Sequence, residues 1–112
     1  MQTKIKNSVI HVVSLLIDNQ YKKLAELSNS RLTAKEIEEA VKDYGETLIM
    51  PSDEAFNEID FLEIENAESK EWSVEFDLWS KESGKTDLTL QLTLTQIDEG
   101  ELNIELDDIH VL

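Results

Sequence analysis

The sequence predicts an α+β domain, with N-terminal helices packed on a curved antiparallel sheet of four or more strands. Two observations carry this expectation. Apolar residues recur with a helical period as far as Gly45 and with a period of two beyond it. The later apolar runs are joined by connections of hairpin length, two of them containing Gly. With 112 residues, 40% of them apolar and no internal repeat or linker, residues 1–112 read as a single domain, helical over about 3–45 and sheet-forming over about 59–111.

The first helix is expected over residues 3–27, because Ile5, Val9, Val12, Val13 and Leu16 fall on one helical face. Its β-branched residues compete for a strand, but period and length favour the helix. Asp18 and Asn19 interrupt it, and Tyr21, Leu24 and Leu27 continue as a short second helix. The third helix begins at a capping box, Thr33-Ala34-Lys35-Glu36, flanked by Leu32 and Ile37 at the staple positions. Ile37, Ala40, Val41 and Tyr44 form its apolar stripe, Glu38 and Lys42 an i,i+4 pair, and Gly45 a left-handed stop. Residues 47–50 form a short extended piece ended by Pro51, and residues 52–57 a turn or a single helical turn. Four strands are predicted at 59–65, 71–79, 87–97 and 101–111, antiparallel in order.

Alternation assigns the faces. Trp72, Val74, Phe76 and Leu78, then Leu88, Leu90, Leu92 and Leu94, then Leu102, Ile104 and Leu106 point toward the helices. Glu75, Asp77 and Trp79, the Thr89–Thr95 row with its hydroxyls, and Glu101, Glu105 and Asp107 point away. Thr93, on that outer face, is expected to tolerate Ala. The phase slips at Asp107 and Asp108, where Ile109 and Val111 take over as apolar positions, and a β-bulge is the simplest cause. Glu63 and Glu65 are assigned to the same acidic face as Glu75 and Asp77.

Charge is distributed unevenly. Residues 1–50 hold seven basic and seven acidic side chains, whereas residues 51–112 hold Lys70, Lys81 and Lys85 against eighteen Asp and Glu, which accounts for the net −15. Such a field repels nucleic acid and anionic membrane and attracts basic partners. The absence of Cys excludes disulfides and thiolate chemistry, and three Gly leave no phosphate-cradling loop. Residues 4–17 have the basic start and apolar run of a signal peptide but no small-residue cleavage site, so a cytoplasmic location is expected. No apolar run approaches the ~20 residues of a membrane span.

The order of helices followed by a curved sheet resembles the NTF2-like, or cystatin-like cone, superfamily. Arg31-Leu32-Thr33, Tyr44-Gly45, residues 51–56, Trp72-Ser73-Val74, Asp77-Leu78-Trp79, residues 83–94 and the terminal Asp107-Asp108-Ile109-His110-Val111-Leu112 are similar to patterns in a family of small bacterial proteins of unknown function. That resemblance spans residues 31–112 and implies the fold without implying an activity.

Asp107, Asp108 and His110 are the densest polar cluster, but their spacing is not that of a metal site, so neither a metal nor a cofactor is expected. Trp79 has the parity of the acidic face. It is either covered by its own turn or is an anchor for a partner. The expected role is that of a small acidic binding protein, not an enzyme, using Glu75, Asp77, Trp79, Glu101, Glu105 and Asp107. Its specific form would be an immunity protein that neutralises a cognate basic toxin domain, a nuclease in particular, of a contact-dependent inhibition or polymorphic toxin system. The alternative is an NTF2-like pocket protein that binds or converts a small molecule with Tyr44, Trp72, Asp108 and His110. Self-association into a homodimer fits either reading.

Overall fold

The computed structural model describes residues 1–27, 30–65 and 68–111. Helix α1 runs Gln2–Ile17 and buries Ile5, Val9, Val12, Val13 and Leu16, the stripe that the period picks out. Packing rather than propensity holds this β-branched helix. Two residues past its end, Asn19 at φ 57° takes the left-handed turn that Asn tolerates. Helix α2 (Tyr21–Ala25) follows, and the Tyr21 hydroxyl donates to Asn19 Oδ1 at 2.8 Å. Helix α3 (Ala34–Tyr44) carries the full capping box. Thr33 Oγ1 accepts from the Glu36 N–H at 3.1 Å, and Glu36 Oε1 accepts from the Thr33 N–H at 3.0 Å. Gly45 ends α3 at φ 79°, in the left-handed region.

Five strands form one open antiparallel sheet, with helices on one face: β1 (Leu48–Ile49), β2 (Asp60–Ile64), β3 (Glu71–Ser80), β4 (Gly84–Asp98) and β5 (Glu101–Val111). β2, β3, β4 and β5 lie side by side in sequence order. β1 is the addition. It pairs with Trp79 and Ser80 at one end of β3, while β2 pairs with residues 71–75 on the same edge. Between them a 3-10 helix (Asp53–Glu58) places Phe56 over Phe76, ring centroids 5.2 Å apart and nearly parallel. β4 starts three residues earlier than alternation suggests, because the turn after β3 tightens at Gly84, φ 71°. Asn66 and Ala67, part of the expected 66–70 connection, lie outside the described residues.

On β3 the alternation is complete: Trp72, Val74, Phe76, Leu78 and Ser80 are buried and their neighbours half-buried. Leu88, Leu90, Leu92, Leu94 and Leu106 complete the core against α1 and α3, whereas Leu102 and Ile104 are only partly covered. The sheet has three irregularities, one of them at Ile97, which is extra between Gln96 and Asp98 at the end of β4. Opposite Leu78, β4 carries extra residues, and buried Thr86 closes the gap: its hydroxyl donates to Leu78 O at 2.7 Å and accepts from the Leu88 N–H at 3.1 Å. In β5, Gln91 faces Asp108 while Leu92 faces Leu106, which leaves Asp107 as the extra residue of a bulge. That bulge puts both Leu106 and Ile109 in the core, although they are three residues apart. Val111, the second apolar position of the expected pattern, is exposed at the strand end.

Candidate functional site: the open face of the sheet

The face turned away from the helices is built from the odd-numbered residues of β3 and β4 and their partners on β5. Register sets its rows. Glu71 faces Thr95, which faces Asn103; Ser73 faces Thr93, which faces Glu105. Glu75 faces Gln91, which faces Asp108; Asp77 faces Thr89, which faces His110. The β5 bulge brings Asp107 onto the same face, where its Oδ2 accepts from the Thr93 hydroxyl at 2.6 Å. In the row below, Asp77 Oδ1 accepts from the Thr89 hydroxyl at 2.8 Å, and Thr89 is buried although it lies on the outer face.

Part of this acidic surface is neutralised internally. Arg31, on the loop before α3, donates its backbone N–H to Leu106 O at 3.0 Å and so caps the outer edge of β5. Its guanidinium reaches Glu105 Oε1 at 3.3 Å and Asp107 Oδ1 at 3.7 Å. The Arg31 side chain is 72% exposed, so each contact is worth about 0–1 kcal/mol. Lys85 lies 3.1 Å from Glu58 and 3.8 Å from Asp77. Glu75 and Glu101 have no cationic partner among the described residues. His110 Nδ1 sits 3.2 Å from Asp108 Oδ2 but is out of line for an N–H···O bond. Burial pushes the Asp107 carboxyl above the usual carboxylate range, opposed by the Thr93 hydrogen bond.

The six residues expected to meet a partner thus share one face, but not in equal states. Among the described residues Glu75 and Glu101 have no cationic partner, Asp77, Glu105 and Asp107 are engaged, and Trp79 is half-buried. A Cβ placed on Gly84 would lie 3.8 Å from Trp79 Cζ3, so the indole rests on its own hairpin turn. Glu63 does not belong to this face. It faces Trp72 on the helix-side parity, and Asp60 takes the position opposite Glu75.

The pocket expected from Tyr44, Trp72, Asp108 and His110 does not assemble. Trp72 is buried beneath the helices, whereas Asp108 and His110 lie across the sheet on the open face. The Tyr44 hydroxyl donates to Asp87 Oδ1 at 2.6 Å, a bond that raises its pKa above the ordinary phenol value. A layer of backbone separates the two halves of the proposed cavity. Among the described residues no cluster of three or more His, Asp or Glu side chains could hold a metal ion, and no helix is long and apolar enough to cross a membrane.

The profile of a protein family described as a domain of unknown function, DUF7668, matches residues 13–112. The chain belongs to the DUF7668 family. The match begins inside α1, so the family domain includes α2, α3 and the whole sheet, a wider span than residues 31–112. No curated protein and no solved structure matches the chain. Arg31, the single Arg among nine Lys, is the residue against this face that strand alternation could not place there.

Proposed function

We propose that this DUF7668 domain is an acidic binding protein whose open sheet face captures a basic surface on a partner protein. The specific reading is an immunity protein that occupies the basic nucleic-acid-binding surface of a cognate toxin domain, a nuclease in particular. One observation carries the proposal. The sheet has a solvent-facing side lined with carboxylates on both β3 and β5, backed by a predominantly apolar side packed against the helices. A nuclease needs cationic side chains to neutralise phosphates, and a fixed array of carboxylates competes for the same side chains. The hydroxyls of Thr89 and Thr93 support the reading by pre-orienting Asp77 and Asp107, which limits the ordering cost on association.

The test is co-purification of the tagged protein from its native strain, followed by association kinetics at two salt concentrations. Glu75→Lys combined with Asp108→Lys should slow association by about tenfold or more, with little change in the circular dichroism spectrum. A neutral or acidic partner, or a rate that ignores both salt and charge reversal, would remove the basis for the proposal.

A further inference from the structure

We propose that the free edge of β2 is a strand-addition site for an extended partner segment that alternates apolar and basic side chains. β2 pairs with β3 on one side, and nothing among the described residues pairs with the other. All five of its residues are exposed, Leu62 at 73%, while its partner β3 is buried at every second position. An unpaired edge presents a row of N–H and C=O groups ready to hydrogen-bond another strand.

Both sides of this edge offer space for the side chains of an added strand. On the helix side lies a groove of about 320 Å³ lined by apolar Ile5, Phe56, Ile59 and Phe61 and by polar side chains that include Lys6 and Asn57. On the open face lies a second groove of about 250 Å³, lined by Asp60, Phe61, Leu62, Ser73 and Glu75. Successive residues of a strand point to opposite faces. A segment laid along β2 would therefore send alternate side chains toward a groove that has Ile5, Phe56, Ile59 and Phe61 in its lining and toward the carboxylates of Asp60 and Glu75. Backbone pairing supplies affinity in this mode, and the flanking grooves supply selectivity.

Charge decides the occupant. Asp60 and Glu63 lie on β2 and Glu65 immediately beyond it, and none has a cationic partner among the described residues; the nearby Lys6 and Lys85 are committed to Asp53 and Glu58. A second copy of a chain with net charge −15 would bring the same acids against these. Acidic edge residues blunt self-pairing, and they attract a basic strand. This inference shares Glu75 with the open-face reading, but backbone pairing at residues 60–64 tells the two apart, since β2's edge can be filled or empty whatever binds Asp108.

The experiment titrates the ¹⁵N-labelled full chain with a probe peptide of about seven residues, a usual strand length, alternating valine and lysine. Saturable shifts should centre on residues 60–64, with amide exchange there slowed about tenfold or more. A valine–glutamate probe should leave those amides unshifted. N-methylating one alternate set of probe amides should abolish binding, and methylating the other set should preserve it, because only one edge of the added strand pairs. Shifts centred elsewhere, equal binding of the glutamate probe, or an identical response to both methylation patterns would overturn the proposal. So would concentration-dependent protection of residues 60–64 without any probe, which would mean that a second copy takes the edge.

Discussion

Asp107 binds the Thr93 hydroxyl through one carboxylate oxygen and buries the other 3.7 Å from Arg31 Nε without a hydrogen bond. Thr93 is therefore not the tolerant surface residue its alternation parity suggests. Thr93→Ala should destabilise the fold by about 1–3 kcal/mol, because it leaves a half-buried carboxylate unsatisfied. The cost should shrink in an Asp107→Asn background, and chemical denaturation of the four variants of this cycle measures the difference. The pH dependence has a definite sign. Burial raises the Asp107 carboxyl, so its neutral form is favoured in the folded state; its stabilising contribution is present below the unfolded carboxyl range and is lost as pH rises through the raised value. Glu82 is the opposite case: the Thr47 backbone N–H and hydroxyl hold it below the usual range, so its contribution is present above the unfolded value and is lost as pH falls. Denaturation midpoints across the acid range should rise with pH less steeply in Glu82→Gln than in the parent, and more steeply in Asp107→Asn. Core residues follow burial. Leu90→Ala, at a fully buried site, should cost about 2–5 kcal/mol, and Ile104→Ala, at a partly covered one, distinctly less.

Helix α3 and strands β3 and β4 follow from local rules, and those rules were legible. Thr33 and Glu36 sit three residues apart at the start of an apolar stripe, and the box they form satisfies two N–H groups that nothing else would. Thr33→Ala should cost about 1 kcal/mol, read as a lower melting temperature with unchanged helix content. The β5 bulge was legible for the same reason: two apolar residues three positions apart cannot both face a core unless one residue is extra. Non-local pairing was not legible. That β1 and β2 share one edge of β3 depends on where the 3-10 helix sets Phe56 on Phe76, a contact between distant residues. The facing of β2 was misread because Phe61, Leu62 and Ile64 follow no strict alternation, so register with β3 alone decides that Asp60 joins Glu75 and Glu63 does not. The candidate site was read in outline for a similar reason. Parity puts the carboxylates on one face, but the Arg31 and Lys85 pairings that neutralise part of it are contacts across the fold.

The net charge of −15 acts on the free domain as well as on any complex, and it acts in opposite directions. Eighteen acidic side chains fall in residues 51–112, and like charges held together on a sheet repel, which weakens the compact state. Mobile ions screen that repulsion over a Debye length of about 10 Å at 0.1 M. Adding sodium chloride should therefore stabilise the unbound domain while it slows capture of a basic partner. Urea midpoints should rise between about 0.02 and 0.2 M salt and then level, since repulsion between exposed charges is largely screened by that point. The Glu75→Lys, Asp108→Lys variant separates this effect from general salt action on apolar burial, which both proteins share. Its two substitutions, each changing −1 to +1, take the net charge from −15 to −11, and it should show a smaller rise in midpoint with salt. Equal responses in the parent and the variant would mean that the open face is not where the repulsion resides. The carboxylates there would then be too well neutralised by Arg31, Lys85 and the threonine hydroxyls to steer anything.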